Sequence, residues 1–308
     1  MEVIVPPEAS GQRLDRFLAD QLPDYSRSRI QAWIRDGRVL VDDVTARPSA
    51  KLSGGEVLDV DPAPLERLRA FPEDLPLSII YEDEEIVVVN KAAGMTVHAG
   101  AGEASQKGTL VNALLHRFGQ LPNLGGDLRP GIVHRLDRLT SGVIGVAKTE
   151  HAHRGLAESF AERKVGKTYE ALAHRNATQF RKGRQVEGWI RLEAPIGRDP
   201  RHRTRMAVVS SGRDAISDVR SLKASSKHSR LAVEIHTGRT HQIRVHLAWA
   251  GHPVVGDRLY GAPARGESER FYLHARRLEL AHPLSGKRMS FEASPPEDFE
   301  QVATELGV

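Results

Sequence analysis

The first apolar pattern along the chain has helical spacing. Leu14, Phe17, Leu18 and Leu22 share one face of "GQRLDRFLADQLPDY", and Ile30, Trp33 and Ile34 share one face of "YSRSRIQAWIRDGR". Ser26 is the expected cap of the second helix and Gly37 its stop. "RVLVDD" and "EVLDVDP" then predict two short strands, so residues 1–62 read as one small unit. A run spaced by Pro62, Pro64, Pro72 and Pro76 cannot sustain regular structure and predicts a linker over 63–76. From 77 to 308 the pattern changes. "SIIYED", "IVVVNK", "GIVH", "VIGVAKT", "TYEALAH", "EGWIRLEAPI" and "LAVEIH" read as strands, and "TLVNALLHRF", "EHAHRGLAESFAERK", "THQIRVHLAWAG" and "EDFEQVATEL" as helices. The order has no regular βαβ rhythm, which predicts an α+β domain around a mixed, largely antiparallel sheet with flanking helices.

Composition narrows the function classes. With 308 residues and 40% apolar content the chain can build a full core. It has no cysteine, so thiol and disulfide chemistry are excluded. The start, "MEVIVPPEAS", is acidic and interrupted by prolines, unlike a signal peptide, and no apolar run approaches a membrane span. The expectation is a cytoplasmic, monomeric protein without a membrane partner. The net charge of +4 is unevenly placed: Arg175 to Arg230 holds 14 Lys/Arg against 5 Asp/Glu. Such a block suits either a polyanionic partner or a solvated face. Residues 1–70 are not basic (10 Lys/Arg, 12 Asp/Glu), so an RNA contact there must come from Arg27, Arg29, Arg35 and Arg38 around the second helix.

Several chemistries lack their residues. Of 14 histidines, His241 and His246 lie five apart on a predicted helix and His151 and His153 two apart, so neither pair shares a ligand face. HExxH, GxGxxG, GxxxxGK[ST] and GxSxG are all missing, and "NLGGDLRPG" and "SGGE" read as turns. Neither a metal nor a cofactor is expected, and Ser141 reads as a turn or cap residue. What stands out is "PGIVHRLDRLTSGVIGVAKT", in which Asp137 lies between Arg135 and Arg138 and between apolar runs. A carboxylate in such a place needs a cationic or hydrogen-bonding partner. Asp137 is then either a structural ion pair with Arg135 or Arg138, or a desolvated nucleophile or base. A second cluster runs from "EIHTGRTHQIRVHL", with a helix capped by Thr240 and Arg239, His241 and Arg244 in its first turns. This is a candidate site for an anion or a carboxylate. In "GKTYEALAH", Tyr169 sits beside Lys164 and Lys167, as either a packed strand aromatic or a stacking surface for a base.

Together these stretches resemble the RluA/RluD-type pseudouridine synthases, which isomerise uridines within RNA. "NKAAGMTVHAG", "HRLDRLTSG", "KTYEAL" and "TGRTHQIRVHLAWAGHPVVGDRLYG" match the family's motifs in order over about 170 residues. Residues 1–62 resemble the αL RNA-binding domain also found in a small-subunit ribosomal protein. The resemblance implies a pseudouridine synthase catalytic domain acting on large-subunit (23S) ribosomal RNA or its precursor particle. It implies Asp137 as the catalytic aspartate, Tyr169 stacking on the target uracil, Arg244 pairing with Asp137, and Leu247 closing the pocket with Arg135 and His134. Arg138, Arg203, Arg205, Arg239 and His241 would join the N-terminal arginines on RNA. With Arg244 on Asp137, Arg135 or Arg138 is left for RNA. Ala99 stands where the family's first motif has proline, and Arg138-Leu139 where a basic-acidic pair is more frequent. Two rival classes remain: a non-catalytic RNA-binding or ribosome-assembly factor, and a metal-independent ribonuclease using His134 or His241.

Overall fold

The computed structural model describes residues 1–25, 27–62, 69–99, 107–177, 180–202, 204–262 and 270–308. The chain divides into two compact units, Met1–Arg67 and Leu68–Val308. Ser26, Arg203 and residues 63–68 of the expected linker lie outside the described residues, as does Gly100 of the first motif.

In the first unit, helices α1 (Leu14–Gln21) and α2 (Arg27–Arg35) pack Leu14, Phe17 and Leu18 against Ile30, Trp33 and Ile34. An antiparallel sheet completes the core, in the order β1 (Glu2–Ile4), β4 (Val57–Val60), β2 (Val39–Val41), β3 (Val44–Thr45). Expected strands correspond to β2 and β4. The short outer strands β1 and β3 carry too few residues to register as a pattern. Asp15, with a fully buried side chain, is held by Arg13, Arg27 and Gln31, and this ties the two helices together.

The second unit is built on a ten-stranded sheet. Its order is β5 (Ile79–Glu82), β6 (Ile86–Lys91), β7 (Ser141–Ala147), β15 (Leu273–Ala281), β8 (Gly166–His174), β14 (His228–Ile235), β13 (Ile216–Ala224), β10 (Trp189–Glu193), β9 (Arg184–Val186). Strand β16 (Arg288–Glu292) pairs with β15, and β11 (Ile196–Arg198) with β12 (Met206–Val208) forms a separate ribbon. Only β7 and β15 run parallel among the described pairings, so the sheet is mixed and largely antiparallel. Helices α3 (Leu110–Phe118), α4 (Glu150–Ala161), α5 (Gln242–Trp249) and α6 (Glu297–Glu305) flank it. Thr109 caps α3 through a reciprocal box with Asn112. Among the described residues no helix is long and apolar enough to cross a membrane.

Strand β8 shows how the sheet divides its faces. Tyr169, Ala171 and Ala173 enter the main core, whereas Leu172 joins Phe299 of α6 on the other side. The proline-spaced run is anchored from Ala70 to Glu73: the Ala70 N–H donates to the Asp127 carbonyl, and the Phe71 carbonyl and Glu73 N–H bond to Asn112.

"GIVH" is not a strand. Gly131 has φ +74° and its N–H donates to the Pro122 carbonyl, so the chain turns there and lies across the end of β7. Ser141 is likewise no turn residue; it opens β7, and its hydroxyl lies 2.9 Å from His274 Nδ1. His274 Nε2 faces the Ala293 carbonyl, which can only accept, so Nδ1 is the acceptor and Ser141 donates. Burial pushes this ring down to about 4, which keeps it neutral.

Next to it, Gly142 pairs with Ala275 where β7 and β15 run parallel, at φ +114°. A Cβ there would sit 2.2 Å from the Ala275 carbonyl oxygen. Gly142→Ala is therefore expected to cost about 3 kcal/mol or more, read by urea unfolding of the full chain. A loss below about 1 kcal/mol would contradict this close approach.

Candidate active site

Three adjacent strands bring the site together. Gly142 of β7 pairs with Ala275 of β15, and Ala275 pairs with Tyr169 of β8. The loop before β7 carries Asp137, whose carbonyl accepts the Thr140 N–H in a tight turn. Asp137 and Tyr169 thus meet although they lie on different elements. A cavity of about 590 Å³ opens over them, within the size range of small-ligand sites.

Asp137 has a side chain 23% exposed. Its Oδ2 accepts a hydrogen bond from Arg244 Nη1 at 3.0 Å. Arg244 comes from the first turn of α5 and is itself clamped: Nε donates to Asp257 Oδ2 at 2.6 Å and Nη2 to Asp257 Oδ1 at 3.0 Å. The guanidinium also lies 4.1 Å from the Phe271 ring centroid and 4.9 Å from that of Tyr260. Asp257 is completely buried on its side chain. The planar fork suits this double role, since a fork-to-fork pair fixes orientation while the third nitrogen stays available for Asp137. Sequence reasoning missed Asp257. Its motif, "GHPVVGDRLYG", was visible, but nothing local indicated that residues 253–257 would fold back along β8, where the His174 and Val255 N–H groups bond to the Pro253 and Leu172 carbonyls.

Tyr169 is 8% exposed and lines the cavity. Burial, and then the charge of Asp137, push its phenol up, so it is present as a neutral ring. His134 also lines the wall; it stacks on Phe160, accepts the Gly145 N–H at Nε2, and is pushed down to about 3 by burial. Leu247 is fully buried in the main core and is not among the cavity-lining residues, whereas Ile243, one turn earlier, is.

The start of α5 differs from the expected cap. Helix α5 begins at Gln242 after His241, which has left-handed backbone, and no side chain caps it. Instead Gln242 Oε1 accepts from the Thr237 hydroxyl and the Arg239 N–H, fixing the turn from within. Thr240, Arg239 and His241 therefore precede the helix, and Arg244 alone of the four lies inside it.

The charge around the opening is strongly one-sided. Arg135, Arg163, Lys167, Arg213, Arg239 and Arg244 line the cavity against a single acid, Asp137. Arg163, Arg213 and Arg239 have no carboxylate partner among the described residues; Arg239 Nε donates to the Asp214 carbonyl. Burial, then the charges of Arg213 and Arg163, push the Arg239 guanidinium down. Arg135 is exposed, with Nη1 3.4 Å from His98 Nε2. Arg138 contributes its carbonyl to the buried Lys91 ammonium, and its side chain is exposed. Arg205 lies outside the cavity lining, bonded to Asp199. In the first unit, Arg27 holds Asp15, Arg38 holds Asp61, Arg29 lies over the Trp33 ring and Arg35 is exposed at the end of α2.

Removing the clamp has a measurable cost. Asp257→Asn leaves Arg244 buried with Asp137 as its one carboxylate. The expected destabilisation is about 2–3 kcal/mol in urea unfolding at pH 7, below the ~3–5 kcal/mol typical when a buried charge loses its sole partner. Wild-type stability in this variant would mean that the clamp does not hold the site.

Comparison with known proteins gives the family. The profile described as "RNA pseudouridylate synthase" matches residues 85–249, and the "S4 domain" profile matches 12–58. "Ribosomal large subunit pseudouridine synthase D" of Xanthomonas campestris is 42% identical over 99% of this chain and 92% of its own length. The protein of the same description from Escherichia coli K12 is 43% identical over 95% of this chain and 90% of its own. Among solved structures, "Human RNA Pseudouridylate Synthase Domain Containing 1" superposes with a TM-score of 0.54 at 26% identity, covering 77% of this chain and 96% of that one. The sheet, the ordered motifs and these relatives agree: the chain belongs to the RNA pseudouridylate synthases of the RluA type, which are isomerases, and carries an S4 domain at its N-terminal side.

Proposed function

We propose that this protein converts uridines of large-subunit ribosomal RNA to pseudouridine, with Asp137 as the reacting carboxylate. The observation that carries the reading is Asp137 on a charged fork, in a cavity lined by six Lys/Arg side chains and one acid. The names of the relatives support ribosomal RNA as the substrate, and with it a cytoplasmic location.

The reaction breaks the N1–C1′ bond, rotates the uracil and joins C5 to C1′. The C5 proton is lost and N1 gains one, so the formula is unchanged and no co-reactant is consumed. Asp137 serves either as the nucleophile or as the anion that stabilises positive charge on the ribose. Arg244 supplies the fixed counter-charge that lets a poorly hydrated carboxylate stay in place. Leaving the RNA stack exposes a base face, and the neutral, buried Tyr169 ring offers a replacement for the lost stacking. Arg163, Arg213 and Arg239 would hold flanking phosphates, which positions RNA without reading its sequence. The S4-type unit adds a second grip through the arginines around α2, with residues 1–62 as the accessory domain.

Mapping of pseudouridine in large-subunit RNA tests the assignment. Asp137→Asn protein should bind RNA within about twofold of wild type and form pseudouridine at least about 10³-fold more slowly. An Asn variant as fast as wild type would remove Asp137 from the chemistry, and cleaved RNA in place of isomerised RNA would point to a nuclease.

The phosphate cradle makes a separate prediction. Arg163→Ala, Arg213→Ala and Arg239→Ala should each raise KM for RNA severalfold with kcat nearly unchanged. Each should also lower the slope of log affinity against log salt by roughly 0.7–0.9 for every phosphate no longer neutralised. An unchanged slope in all three would place the backbone elsewhere.

A further inference from the structure

We propose that His241 is a positioning residue for Asp137: a neutral imidazole whose Nε2–H is aimed at the carboxylate by the hydroxyl of Tyr260. This role rests on the reading of Asp137 as the reacting group.

The first observation is the backbone. His241 sits at φ 57°, ψ 21°, a left-handed conformation that is uncommon for a residue other than glycine. The Gln242 side chain locks the preceding turn through Thr237 and Arg239, and α5 follows at once, so the ring has little freedom to leave the cavity wall.

The second observation is the hydrogen-bond chain behind the ring. The Tyr260 hydroxyl oxygen accepts the Met206 N–H at 3.0 Å and lies 2.7 Å from His241 Nδ1. The phenol has one proton to give, and the Met206 amide can only donate. The arrangement that uses every donor and acceptor has Tyr260 donating to Nδ1. The ring proton of a neutral His241 is then on Nε2, the nitrogen that faces Asp137.

The third observation is which oxygen it faces. His241 Nε2 lies 3.9 Å from Asp137 Oδ1, while Arg244 occupies Oδ2 at 3.0 Å. Each carboxylate oxygen therefore faces a different N–H group on α5 or immediately before it. The arginine bond is formed, and the histidine donor is about one ångström short of a normal hydrogen bond. A shift of about one ångström between the Asp137 carboxylate and the ring closes that gap. Both oxygens are then fixed, and the carboxylate cannot rotate about its Cβ–Cγ bond while it reacts. Burial pushes the ring down despite the opposing pull of Asp137, consistent with a neutral donor.

The test combines nitrogen NMR of the full-length protein with kinetics on an RNA substrate. The His241 signals, assigned by their loss in His241→Asn, should show Nε2 protonated and Nδ1 bare in wild type. Tyr260→Phe keeps the ring beside Arg244 but removes the hydroxyl. It should give mixed tautomers, a kcat about tenfold lower and a KM within about twofold. His241→Asn keeps the left-handed backbone, which asparagine tolerates, but cannot reach Asp137; its kcat should fall by about 10²-fold. A proton on Nδ1 in wild type, or variants that retain kcat, would overturn the role. So would a rise in KM alone, which would make His241 an RNA contact. If wild type itself forms no pseudouridine, the proposed reaction fails and this role with it. If wild type is active and both variants match it, only the role of His241 fails.

Discussion

Arg244 joins two carboxylates, one fully buried behind it and one on the cavity wall. Asp257 is fully buried and takes two of its N–H groups; Asp137, partly exposed, takes a third. Removing a charge from water is costly, and the interior tolerates it only where the geometry is good and every donor is used. The two-bond clamp on Asp257 supplies that geometry. The remaining nitrogen, Nη1, reaches Asp137 Oδ2 at 3.0 Å and orients it.

The rest of the catalytic unit makes that arrangement possible. Helix α5 must start where it does to put Arg244 opposite the loop before β7, and the Gln242 bonds to Thr237 and Arg239 set that start without a capping hydroxyl. Gly142 lets β7 run close against β15, so that the loop before β7, with Asp137, and strand β8, with Tyr169, lie on either side of one strand. His134 and Phe160 stack in the cavity wall. The site is thus a junction of parts from residues 131 to 273, held by buried polar bonds as much as by apolar packing.

The helices were legible in the sequence because their apolar spacing is strong, and several of the main strands because apolar, β-branched runs announce them, though the central β13 was not among them. The α+β class and the mixed sheet followed. Central strand β15, "LHARRLELA", escaped because Arg276, Arg277 and Glu279 break the pattern, and because its buried His274 is satisfied by Ser141 and Ala293, partners far away in sequence. "GIVH" misled for the opposite reason: its apolar residues pack as a turn that Gly131 permits. At the site, Asp137, Tyr169 and Arg244 stood out through family motifs and chemistry. Asp257 and Tyr260 did not, since their importance lies in bonds to Arg244 and His241 that no local spacing encodes.

The most direct test of the central claim is the rate of pseudouridine formation by Arg244→Lys protein, measured beside its affinity for RNA. Lysine keeps the charge but not the fork, and cannot serve Asp257 and Asp137 together. If Arg244 orients Asp137 as described, kcat falls by about 10²-fold or more while RNA binding stays near wild type. A lysine variant that turns over at the wild-type rate would show that charge alone suffices and that the clamped fork is not what arms Asp137.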